Sequence, residues 1–153
     1  MDATAPVAAL GEYPAALYSA VTGAHRRWLA ARCAAVVAGR APSERIEAAC
    51  EESADWLRRE LLAFLSTDVD LQRANPLQII RQSTRPVARV LEAAGVAVPV
   101  RDEFEQRGMP EDPYGFGPVA WQDMGDEVHE AGITWGAWKA ATVLTRRRDE
   151  GKL

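Results

Sequence analysis

Residues 14–39, PAALYSAVTGAHRRWLAARCAAVVAG, decide the fold. Within them Leu17, Val21, Ala24, Trp28, Ala31 and Ala35 return at spacings of three and four, the period that stacks side chains on one face of an α-helix. Pro14 suits a first turn, which needs no backbone donor, and Gly39 supplies a stop. A helix of about six turns follows. Working outward, Pro42 reopens a helix in which Ile46, Cys50, Ser53, Leu57, Leu61 and Phe64 trace one face, while Glu44, Arg45, Glu47, Arg58 and Arg59 fall largely elsewhere. So few residues separate the two helices that they should fold as an antiparallel hairpin.

Asn75-Pro76 is a strong helix opening, because the Asn side chain caps open N–H groups. Leu77, Ile80, Thr84, Val87 and Leu91 supply the inward face of this third helix and Gly95 its end. Pro86 removes one of its hydrogen bonds, which predicts a kink, or two helices meeting at Arg85. From Val96 to Gly132, prolines and glycines leave room only for short turns, at Asp102 to Arg107, Pro118 to Met124 and Asp126 to Ala131. A last helix runs from about Ile133 to Arg148, with Ala137, Ala141 and Leu144 inward and Arg146, Arg147 and Arg148 where positive charge suits a C-terminus. Period-two alternation is missing, save for a possible short strand near Val96 to Val100. The expected fold is therefore all-α: a helical hairpin, a kinked third helix, an irregular Pro/Gly-rich loop and a C-terminal helix. Residues 1–12 form a flexible N-terminal arm and residues 13–153 a single domain.

Composition narrows the function classes. With 48% hydrophobic and 26% charged residues, a chain of 153 residues has enough apolar surface to form its own core. A formal charge of −4 gives no global attraction for polyanions, so nucleic acid is a disfavoured partner unless a local basic patch holds it. No run reaches a membrane span's length and no secretory leader is visible, which makes the cytoplasm the expected location. Cys33 and Cys50 are too few for a disulfide framework and have no zinc-ligand spacing. They lie at similar distances from the turn near Ala41, so they should meet across the hairpin, as inert core thiols or as a redox pair.

Candidate site residues fall into three groups. Arg81, Arg85 and Arg89 recur every four residues as a positive ridge, reinforced by Arg73 and facing a loop rich in Asp and Glu. The ridge either pairs with that loop, stays solvated, or holds an external anion. Phe104, Tyr114, Phe116, Trp121, Trp135 and Trp138 crowd the last third, where the rings either fasten the loop to the helices or stay outside as anchors, Trp121 and Trp135 foremost. His129 follows Asp126 at the helical spacing that can share a metal, but the second half of a di-metal set is missing, and no metal or cofactor is expected. Acid–base chemistry would draw on His129 or His25 with Asp123, Asp126 or Ser83, yet no nucleophile elbow, dinucleotide fingerprint or phosphate loop accompanies them.

The segments at Asn75 to Arg81, Arg101 to Phe104, Pro113 to Phe116 and Trp135 to Ala140 resemble an uncharacterised family of small helical actinobacterial proteins. The resemblance covers roughly the second half of the chain and implies a bacterial origin, with no activity attached. The leading functional expectation is a non-enzymatic interaction or regulatory protein that meets a protein partner through its aromatic and acidic loop. Two alternatives stand beside it: a small-molecule binder or enzyme with an anion pocket at Arg81, Arg85 and His129, and a transcription-associated protein using the arginine ridge. The Ala-rich first helix also allows a homodimer.

Overall fold

A computed structural model describes residues 4–37, 39–100 and 112–152. The chain is all-α: α1 (Thr4–Ala8), α2 (Glu12–Val37), α3 (Ser43–Ser66), α4 (Pro76–Gln82), α5 (Arg85–Ala93), a 3-10 turn (Trp121–Met124) and α6 (Asp126–Asp149), with no strand among the described residues. Gly39 takes φ +77° just after α2, a conformation that costs glycine little. Asn75 opens α4 by accepting the Leu77 N–H at 2.9 Å. Pro86 is the second residue of α5, where its missing N–H costs nothing, and Ser83 and Thr84 separate α4 from α5.

The apolar interior forms two clusters. One gathers Leu17, Val21, Leu57, Leu61, Ile80 and Trp135, and the other Leu29, Cys33, Cys50, Val87, Leu91 and Phe116. Helix α2 passes from the first to the second, α3 returns, and α4 and α5 take one each. At the crossing point of each strand of this path sits a buried polar residue: His25 on α2, Ser53 on α3, Ser83 and Thr84 between α4 and α5. Outside, Arg26 on α2 pairs with Glu47 and Glu51 on α3, and Arg146 on α6 with Asp68 and Asp70.

Several local expectations give way. The stripe on α2 continues through His25, Leu29 and Cys33, while Ala31 and Ala35 are exposed. A period of 3.6 drifts around the helix, and the larger side chains take the core. The last helix begins at Asp126, a full two turns before Ile133, and Gly132 lies inside it. Ala137, Ala141 and Leu144 face outward; Val128, Gly132 and Trp135 are the buried positions. Residues 96–100 have no regular structure. The N-terminal stretch contains α1, and Leu10 packs against the first cluster. The turn expected at Asp102 to Arg107, with Phe104, lies outside the described residues.

Candidate functional site

The loop from Asp112 to Met124 is fastened at several points. Both carboxylate oxygens of buried Asp112 accept backbone N–H groups, from Phe116 at 2.8 Å and Gly117 at 2.9 Å. Phe116 stacks on Tyr114 with ring centroids 5.5 Å apart, Tyr114 donates its hydroxyl to the Val96 carbonyl, and Trp28 donates its indole N–H to the Phe116 carbonyl. Arg81 closes the far end, with Nε donating to Pro118 O at 2.8 Å and a terminal nitrogen to Val119 O at 3.2 Å. Gly117 is required there, since a Cβ would stand 2.9 Å from the Arg81 Cα.

The arginines of the ridge thus part company. Arg81 is half-buried and holds loop carbonyls, Arg85 is exposed, and Arg89 faces Glu52 of α3 at 3.4 Å. A hollow does lie beside α5, but Arg45, Glu52, Pro86 and Arg89 line it, and neither Arg81, Arg85 nor His129 does. His129 is exposed in the first turns of α6. The rings turn mostly inward. Trp135 is buried, 6.2 Å from Phe64; Trp121 is half-buried, its ring seated on Gly132; Trp138 is half-buried beside Tyr13 at 6.3 Å.

The polar layer between the clusters is sealed. His25 is 1% exposed, and its Nε2 lies 2.9 Å from Ser83 Oγ, which itself donates to the Ile80 carbonyl. The proton between ring and hydroxyl therefore belongs to the imidazole, and Nδ1 has no partner among the described residues. Burial, and secondarily the Arg58 charge, push the His25 pKa down to about 4. This brings together two residues named as acid–base candidates, but shut away from any substrate. Cys33 and Cys50 are buried free thiols of the same cluster; the neighbouring Cys50 thiol, then burial, pushes Cys33 up, since two thiolates side by side repel. Among the described residues no group of three or more His, Cys, Asp or Glu is placed to hold a metal.

Two features of α6 escape the sequence pattern. On one flank, a cleft of about 310 Å³ opens between the start of α4 and Gly132, Trp135, Gly136 and Lys139, with Arg73 and Trp121 at its sides. Lys139 stands 5.3 Å from the Trp135 ring centroid, and burial followed by the Arg73 charge lowers its pKa. On the outward face, Ile133, Ala137, Ala140, Ala141 and Leu144 share one side of the helix, with Ile133 57% and Leu144 48% exposed. Asp126 and Glu130 precede this stripe on the same side and Arg147 and Arg148 follow it, none in an ion pair among the described residues.

No helix of the described residues is long and apolar enough to cross a membrane. No family model, curated protein or solved structure matches this chain, so what it does must be argued from these surfaces.

Proposed function

We propose that this chain is a non-enzymatic interaction protein that assembles through the outward face of α6, laid antiparallel against the same face of a second copy. The observation that carries the reading is the stripe of Ile133, Ala137, Ala140, Ala141 and Leu144, exposed along one side of α6 with Thr134 at its edge and framed by charges of opposite sign that make no ion pair among the described residues. A surface helix normally presents polar residues to water, so an apolar outward face needs a cover. Alanines at its centre let two backbones approach closely, and in an antiparallel pair Ile133 of each copy meets Leu144 of the other. The same register sets Glu130 against Arg147 and Arg148, twice by symmetry, whereas a parallel pair would juxtapose like charges. Loop aromatics give weaker support to recognition, because Tyr114, Phe116 and Trp135 are buried.

An exchange of charge tests the pairing. Wild-type protein should associate with an affinity of roughly 10–100 µM, as suits a small interface. E130R alone, and R147E with R148E alone, should sediment as monomers. Mixed in equal amounts they should associate again, because at one end the new cation at position 130 meets the new carboxylates at 147 and 148, and at the other the native Glu130 meets the native Arg147 and Arg148. A wild type that stays monomeric at millimolar concentration overturns the reading, as do single variants that associate like the wild type.

A further inference from the structure

We infer that Cys33 and Cys50 form a reversible latch, a dithiol that a hydroperoxide closes into a disulfide joining α2 to α3. The latch is independent of the pairing proposed above, which uses α6 alone. Residues 38–42 connect the two helices, and Cys33 stands four residues before the end of α2 while Cys50 stands seven after the start of α3. Their depths from the tip of the hairpin therefore differ by less than one helical turn of about 5.4 Å. Both side chains enter one apolar cluster with Leu29 and Ala49, and they are 2% and 5% exposed. Two thiols at one level on facing helices are placed to bridge. Access comes from the tip. Pro42 has no side chain to cap the start of α3, and Val36, Val37 and Ala41 close this end of the cluster only as partly buried residues. Fraying of the last turn of α2 uncovers both sulfurs, at far less cost than opening the interior.

The two thiols take different roles. Arg26, two turns before Cys33 on α2, pairs with Glu47 and Glu51, which flank Cys50 on α3. The Cys33 thiol first, and then the Arg26 charge, hold the Cys50 thiol below its ordinary value against burial and Glu47, whereas Cys50 and burial push Cys33 up. Cys50 is therefore the attacking thiolate, and Cys33 keeps its proton until it resolves. The Cys50 sulfur attacks one oxygen of the hydroperoxide and breaks the O–O bond, and the proton that Cys50 gave up leaves on the other oxygen as an alcohol or water. Cys33 then attacks the resulting sulfenic acid: the S–S bond forms, the S–O bond breaks, and hydroxide departs with the Cys33 proton as water. Two electrons pass from the two thiols to the peroxide. A small dithiol reopens the latch by exchange.

The test treats the reduced full chain with excess hydrogen peroxide, blocks the remaining thiols with iodoacetamide and maps the peptides. Cys33 and Cys50 should appear as one bridged peptide pair, the chain should run as a monomer without reductant, and dithiothreitol should recover both thiols. The bridged chain should melt higher than the reduced one by roughly 5–10 °C, the gain from closing a short loop in the unfolded chain. C33A should stop at a Cys50 sulfenic acid that dimedone captures, whereas Cys33 of C50A should stay unmodified at the same dose. Alanine fills most of either site, and the wild-type measurements stand without the variants. The inference is overturned if the native chain keeps both thiols under conditions that oxidise the urea-unfolded chain, or if bridges form only between copies. It is overturned equally if dimedone captures Cys33 in C50A as fast as Cys50 in C33A, or if the bridged chain melts no higher than the reduced one.

Discussion

The two sides of α6 are both apolar and yet built to different rules. Inward, Val128 and Trp135 fill volume, and Gly132 exists to admit a ring. Outward, three alanines between Ile133 and Leu144 carry little volume, and charges of opposite sign frame them. Bulk matters where the neighbours are already in place, because a gap forfeits contacts on every side. Small size and flanking charge matter where the neighbour must still arrive in one register. Apolarity alone, then, does not mark the core.

The largest expected effect breaks this comparison directly. Trp135→Ala removes a side chain that is 6% exposed and should cost about 3–5 kcal/mol of monomer stability in urea unfolding. Ile133→Ala and Leu144→Ala, equally apolar changes on the other side, should move monomer stability by no more than about 0.5 kcal/mol. Their effect should appear instead in sedimentation, as lost association. Comparable stability losses on both sides would show that the outward stripe is already covered within one chain.

A second prediction concerns the polar layer, which divides the interior as α6 divides inside from outside. The folded state holds His25 neutral down to about pH 4, while the unfolded chain protonates it near 6.5. Between those values the unfolded state binds more protons, so stability falls as pH falls, with the full loss reached below about pH 4. The shift corresponds to about 3 kcal/mol. Urea titrations at several pH values should show this decline, and H25Q should flatten it between pH 6.5 and 4. An equally steep decline in H25Q would assign the acid sensitivity to other groups.

These effects also mark how far the residues could be read in one dimension. Helices α2 and α3 are legible because their long apolar spacings leave only one fold of the local chain, and Asn75-Pro76 because capping is a matter of adjacent atoms. The phase of α6 is not legible: with apolar residues all round, the pattern cannot say which side is the core, and Ala137, Ala141 and Leu144 were as eligible as Val128 and Trp135. The meeting of Cys33 with Cys50 follows from their distances to one turn. The cleft is another matter. Gln72 and Arg73 lie more than sixty residues from Lys139, and only tertiary packing brings them beside Trp121. A short spacing would have pointed there, Gly132 and Gly136 one turn apart on one flank, had the first not fallen at the end of the proline- and glycine-rich loop. Arg81 in turn resembled a ligand-binding cation, whereas Gly117 and the carbonyls of Pro118 and Val119 make it a clasp.

Those two glycines give the finest comparison, because they share a helix and a residue type and differ only in what lies above them. Replacing a helical glycine with alanine gains roughly 0.5–1 kcal/mol by restricting the unfolded chain. At Gly136 the new methyl enters open space, so Gly136→Ala should stabilise the protein by that amount. At Gly132 the methyl would stand 2.4–2.6 Å from the Cδ2, Cγ and Cε2 atoms of Trp121, the root of the ring, which cannot swing aside as a flexible tip could. Overpacking of that kind costs about 1–3 kcal/mol, more than the helix gains, so Gly132→Ala should destabilise by about 1 kcal/mol. The fluorescence of Trp121 should shift as well, since the ring must lift off its seat. Thermal melts of the two variants with opposite signs would place the difference in tertiary contact, because helix propensity alone predicts the same sign for both.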